Sequence, residues 1–459
     1  MNNNTNKSIA IIYKLPFVGF IALLISYFLV VAYYNTKICD DIIATDLVSK
    51  LGAVDYITYI YTMWEGSYSQ GIISALIAPC WNNGSLFIYT IMLGAITVVS
   101  LYLFYSLLIK YYLPQFNNQI TIFIIALLSF LSIFFSAPDV SSAGMVWFTG
   151  SYSYLLSVNF LLLGIFFIIQ QQKWKVTLGA LFILFFAGFR LNYTVYVLAI
   201  TSILLAYNLL YLKNKRNYKT YLLIITILII GLIIYFMAPG NAKRAVASGV
   251  ALNAESVMYK LTHLEFWKAF ISGLIYMIKI HLIKTTAVAV VIITPCFFIL
   301  DTTPFNTSVI KKLFFQSAFF LVFILLLHVF LFTLIMNGPG PSRTYVFIYI
   351  LKTITIFCAL YWLFSLVNIT KYSIIISAVY VALIGVFIYK LFFVDYHNMK
   401  TLHQQKKGRA IQIASSIKNN TDTLIFVPLT HCYYLPSEDN CLGFDPRVAN
   451  KYIIIKQAK

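Results

Sequence analysis

Long apolar runs govern what this chain can fold into. Residues 313–336 contain no Asp, Glu, Lys or Arg, and 374–394 carry only Lys390 near their end. Each run exceeds the roughly 18 residues that mark a membrane-crossing helix. Hydrocarbon offers no water to stray backbone polar groups, so spanning segments are helices or strands of a closed barrel. A barrel writes short alternating segments, whereas these runs are long and rich in Leu, Ile and Phe. Charged residues make up only 10% of the 459, against 61% hydrophobic, too few to coat a soluble domain of this size. The expected fold is an all-α polytopic membrane protein.

About eleven spans are expected, at 16–34, 86–109, 119–136, 152–169, 175–189, 193–211, 220–237, 283–300, 313–335, 344–366 and 372–393. The first run has no small-residue cleavage site behind it and reads as a span. The net charge of +19 would point to nucleic acid in a soluble protein. Here the excess sits in short loops. One set holds twelve basic residues, among them Lys7, Lys14, Lys110, Lys173, Arg216, Lys311 and Lys371, against a single acid, Asp301. The short opposite connections hold Arg190 and Arg343. The positive-inside rule puts the first set in the cytoplasm, hence the N-terminus inside and, with an odd number of spans, the C-terminus outside. Membrane lipids are the expected partners, and nucleic acid is not.

Three long segments then share the outer face: 35–85, 238–282 and the tail 395–459. The chain divides into a transmembrane domain, 1–394, and a small extracytoplasmic module, 395–459, with a helix opening near Lys406 and a strand near 423–428. Stretches around 46–63, 71–79 and 255–282 are helical but short, polar or amphipathic, as befits helices lying in the interface. Loops elaborated on one side place function there.

Asp40 and Asp41 follow the first span. Adjacent carboxylates can act as a general base or hold a divalent cation; they can equally form a charged collar. Trp147 and Tyr152, in the run Trp147-Phe148-Thr149-Gly150-Ser151-Tyr152, either stack on a sugar ring or belong to an interfacial aromatic belt. Asn241, Lys243 and Arg244 follow Pro239-Gly240, Arg343 follows Gly338-Pro339-Gly340-Pro341-Ser342, and Arg190 and Asn192 sit in a tight turn. Four cations at one membrane level suit a lipid phosphate, since guanidinium binds phosphate bidentately; ordinary headgroups would be served as well. Cys39 with Cys80, and Cys432 with Cys441, are candidate disulfides on that face, with free thiols as the open alternative. No Cys/His spacing points to zinc.

The set Asp40-Asp41, Trp147 to Tyr152, Ala238 to Arg244 and Pro341-Ser342-Arg343 resembles an uncharacterised bacterial family, domain of unknown function 6056. The acidic pair in the first outer loop is also similar to that of the GT-C superfamily of membrane glycosyltransferases. The resemblance implies a GT-C-like fold in a bacterial inner membrane. It implies transfer of a sugar from a polyprenyl-phosphate donor to a glycan acceptor, with Asp40 or Asp41 as base and no certain cofactor, a divalent cation remaining open. A transporter or flippase, and a glycan polymerase or ligase, are the alternative readings. Lys352 and His328, ionisable and deep in spans, bear on the transporter.

Overall fold

A computed structural model describes residues 3–37, 40–78, 83–112, 118–212, 215–247, 254–299, 307–366, 372–419, 423–426, 429, 432, 434, 435 and 452–455. Helix α1 (Asn3–Tyr34) is followed by three short helices, α2 (Asp40–Leu51), α3 (Ala53–Tyr59) with a wider turn at Ile60–Trp64, and α4 (Tyr68–Ile77). Helices α5 (Asn83–Tyr112) and α6 (Gln119–Ser136) pack as a pair. A second set of short pieces comes next: α7 (Pro138–Ser141), a turn at Ser142–Val146, α8 (Phe148–Ser151) and a turn at Tyr152–Leu156 that runs into α9 (Ser157–Ile169). Then come α10 (Lys173–Ala187), α11 (Leu191–Tyr207), α12 (Lys215–Phe236), α13 (Pro239–Ala247) and α14 (Ala254–Thr262). Helices α15 (Leu264–Tyr276), α16 (Thr285–Ile293) and α17 (Pro295–Ile299) form one helical run through Met277–Lys284. Finally α18 (Thr307–Met336) packs on α19 (Val346–Leu366), and α20 (Ser373–Tyr389) continues through Lys390–Asp395 into α21 (Tyr396–Lys418). Strands β1 (Thr423–Phe426) and β2 (Tyr452–Ile455) pair in parallel.

Among the described residues ten helices are long and apolar enough to cross a membrane, one fewer than expected. The shortfall is α10. Its 15 residues reach about 22 Å at 1.5 Å per residue, less than a bilayer core of about 30 Å. It nevertheless packs back along α9. Arg190, just past α10, lies 4.8 Å from the Tyr154 ring just before α9, so the chain returns to the end at which α9 began. Two boundaries fall differently. The amphipathic stretch 255–282 is divided between α14 and the start of Leu264–Ile299, one helical run whose Phe266 and Phe270 rings pack on Phe330 of α18. The last span runs on past residue 395, Ser373–Ser416 being likewise one helical run.

Many polar groups inside the bundle are paired, as a low dielectric favours. Thr90, Thr97 and Thr201 hydroxyls donate to carbonyls four residues back. Asn159 of α9 donates to Thr97 of α5 at 2.9 Å, and Tyr105 meets Ser129 at 3.0 Å across α5 and α6. Asn118 caps α6 by accepting from the Ile120 and Thr121 amides. The carboxyl-terminal segment docks on this core. Tyr434 stacks on Phe134 at 5.6 Å, and the buried Tyr27 hydroxyl donates to Asp395. Cys432 beside them is a buried free thiol rather than half of a bridge, held between this tyrosine and the bundle; burial pushes its pKa up. Cys39, Cys80 and Cys441 lie outside the described residues.

Glycine sets the α9–α10 spacing. A Cβ on Gly179 would stand 2.8 Å from the Gly164 carbonyl and 2.9 Å from the Ile168 amide. Small residues that let backbones approach are a principal means of helix association in lipid. Gly179→Val is therefore expected to destabilise the bundle by about 1–3 kcal/mol, the usual cost of overpacking. Thermal unfolding in detergent checks this, with Gly385→Val as the reference, since nothing lies within 4 Å of a Cβ there.

Candidate functional site

The two adjacent aspartates separate. Successive residues of a helix point about 100° apart, and at the start of α2 this sends Asp41 inward and Asp40 outward. Asp41 is fully buried. Its Oδ1 accepts the Thr149 amide at 2.9 Å and the Thr149 hydroxyl at 2.5 Å. Thr149 lies in the first turn of α8, whose own cap residue, Trp147, supplies no side-chain acceptor. The carboxylate of α2 thus satisfies an orphan amide of α8 that would otherwise be buried unpaired.

Asp40 faces solvent. Partial burial raises its carboxyl above the ordinary 3.8, while Arg343, Arg190 and Arg244 pull it back down. Three guanidiniums from three distant segments therefore act electrostatically on one carboxylate. Each lies against an aromatic face: Arg343 at 5.4 Å from the Trp147 ring, Arg190 at 4.8 Å from Tyr154 and Arg244 at 5.3 Å from Trp64. Burial and the nearby Arg343 lower the pKa of Arg244, and Asp40 raises it.

A third acid organises the cations. Glu65 is 3% exposed, pairs with Arg244, stands 3.6 Å from Arg190 and accepts the Ser67 hydroxyl at 2.5 Å. It sits in the bend after Ile60–Trp64, where α13 crosses so closely that a Cβ on Gly240 would stand 2.7 Å from the Trp64 amide. Asn241 locks this crossing: its Oδ1 accepts the Gly66 amide at 2.8 Å and its Nδ2 donates to the Tyr235 carbonyl at 2.6 Å.

Arg343 is placed by its loop. His328 lies between Tyr196 at 2.6 Å and the Pro339 carbonyl at 2.9 Å. A carbonyl only accepts, so Nε2 donates there, and a neutral ring accepts the Tyr196 proton at Nδ1. Tyr345 donates to the Gly340 carbonyl at 2.6 Å. Gly340, at φ +83°, turns the loop where a side chain would strike the Phe332 ring. His328 is thus a packed polar group that holds the loop.

Arg190 and Arg244 come together at Glu65, Arg343 lies against Trp147, and all three guanidiniums act electrostatically on Asp40. Asn192 instead points to the Tyr196 hydroxyl, 3.4 Å away, and Lys243 lies against the Met63 sulfur on the exposed side. Tyr152 is buried against Phe148, out of reach of a ligand. Two donors of the site, Arg190 Nε and Trp147 Nε1, are buried without a hydrogen-bond partner. Such donors are costly unless something accepts from them. Among the described residues no three His, Cys, Asp or Glu side chains gather to hold a metal ion. Sequence reading passed over Glu65; its one signal was an acid standing alone between Trp64 and Gly66-Ser67.

These placements separate the aspartates experimentally. Asp41→Ala removes the acceptor for two buried donors and is expected to cost about 1–3 kcal/mol of stability. Asp40→Asn is expected to keep or raise stability at neutral pH. Since folding raises the Asp40 pKa, the folded chain binds more protons than the unfolded one between the two pKa values, and stability falls as pH rises through that window. The Asn variant should lack that fall. Thermal unfolding against pH, read side by side for both variants, is the measurement.

No protein-family model, curated protein or solved structure matches this chain.

Proposed function

We propose that this multi-pass membrane protein is a glycosyltransferase that takes a sugar from a polyprenyl-phosphate donor, with Asp40 as its base. The observation that carries the reading is one solvent-facing carboxylate within the field of three guanidiniums, beside a second carboxylate already engaged. A base needs access and a pKa near its working range, and burial moves Asp40 in that direction. A leaving phosphate needs cations waiting where its charge develops.

In the proposed step Asp40 removes the proton of an acceptor hydroxyl. The resulting oxygen attacks the anomeric carbon from the face opposite the phosphate. The bond between that carbon and the phosphate oxygen breaks with inversion, and its electron pair leaves on the lipid phosphate. Arg343, Arg190 and Arg244 stabilise that charge, and the unpaired Trp147 indole N–H serves as a neutral donor. Asp41, Asn241 and Glu65 position these groups. The basic loops support an N-terminus in the cytoplasm and a site on the opposite face; a bacterial inner membrane follows from the family resemblance alone.

One observation favours transport as a second reading. Lys352, buried deep in α19, donates to the Thr285 hydroxyl and to the His281 carbonyl at 3.2 Å, over the Tyr349 ring. An ionisable residue inside a membrane is a functional candidate by default.

Mass spectrometry of the cell-surface glycan separates the readings. Deletion and Asp40→Asn are each expected to remove one defined sugar, while Lys352→Met, at equal membrane abundance, leaves it in place. Loss of the sugar in the deletion but not in Asp40→Asn would remove Asp40 as base. Shortened chains of unchanged repeat would indicate polymerisation, and an unaltered glycan in the deletion would put transport first.

A further inference from the structure

A second cation-rich feature lies behind α2, on a different face from Asp40. Residues 42, 45, 46, 49 and 50 recur at helical spacing along one side of α2 and form one wall of a cavity of about 840 Å³; α21 supplies the opposite wall, with Thr36 and Lys37 at its floor. Five cations line it: Lys37, Lys50, Lys406, Lys407 and Arg409, with His403 among them. Among the described residues the lining contains one acid, Asp46, and Lys50 pairs with it at 2.7 Å.

The cavity is built rather than incidental. Lys406 is 8% exposed and donates to the Thr36 hydroxyl at 3.0 Å. Arg409, 4% exposed, lies 5.1 Å from the Phe426 ring of β1. The His403 ring packs edge-on to Tyr34, and its Nδ1 is buried with no hydrogen-bond partner. Cations of one sign held around a cavity repel one another, and a concave wall of such charge concentrates anions. The floor begins two residues past the end of α1, the height at which lipid phosphates meet water. The Thr36 hydroxyl, which accepts from Lys406, keeps its own proton to donate to a phosphate oxygen.

We propose that this cavity is a binding site for a phosphate-bearing polar group, separate from the site around Asp40. Its cation count and volume suit more than one phosphate or a phosphate with an attached polar group. The inference does not rest on glycosyl transfer, and it holds or fails whatever Asp40 does.

The source is a soluble phosphate or a lipid headgroup, and two arms tell them apart. Full-length protein in detergent is titrated with inorganic pyrophosphate by calorimetry. The same protein in nanodiscs of phosphatidylcholine, with or without phosphatidylglycerol, is examined for retained lipid by native mass spectrometry. Lys407→Glu, and Lys37→Glu with Lys407→Glu, are compared with Lys173→Glu, an exposed position outside the cavity. Pyrophosphate binding weakened about tenfold or more by the cavity variants, the worth of one charge-assisted hydrogen bond, supports the site. So does selective loss of phosphatidylglycerol in those variants. Binding in the first arm alone assigns a soluble phosphate, and retention in the second alone assigns a headgroup. The proposal is overturned by absence of both, or by equal losses in Lys173→Glu.

Discussion

The buried carboxylate of Glu65 is the contact on which the candidate site depends. Taking a carboxylate out of water costs several kcal/mol unless cations and donors replace that water. Here Arg244, Arg190 and Ser67 do so. The same contact draws the bend after Trp64, the α10–α11 turn and the start of α13 to one point. Two of the guanidiniums that act electrostatically on Asp40 are thereby held by Glu65.

Around that point the structure resolves its unpaired backbone groups through distant side chains. Asp41 supplies the acceptor that the first turn of α8 lacks. Asn241 holds both the Gly66 amide and the Tyr235 carbonyl. His328 and Tyr345 hold the carbonyls of the loop that carries Arg343. Irregular backbone near a membrane persists where protein pairs its polar groups. Arg190 Nε and Trp147 Nε1 are buried there without a hydrogen-bond partner.

Much of the architecture is legible in the sequence because one force dominates it. Apolar runs of twenty or so residues have few places to go but the bilayer, so the class of fold and most spans follow directly. The exceptions have physical causes. Helix α10 is shorter than a bilayer core, and its membership of the bundle comes from glycine contact with α9. The amphipathic stretch before residue 283 merges with its span because Phe266 and Phe270 find a partner in Phe330. Asp40, Arg190, Arg244 and Arg343 could be nominated as charges beside spans. Their convergence could not, because it runs through Glu65, separated by 179 residues from Arg244. No local spacing distinguishes Asp40 from Asp41 either; the difference arises 108 residues away, at Thr149.

The central claim is that the three arginines hold a lipid phosphate next to Asp40. Phosphorus NMR of a polyprenyl phosphate in nanodiscs containing the protein tests it most directly. The account predicts a shifted or broadened phosphate signal with wild-type protein, unchanged titration behaviour in Lys243→Gln, and loss of the effect in Arg343→Gln. A signal identical with and without wild-type protein, or an effect that survives Arg343→Gln undiminished, would contradict it.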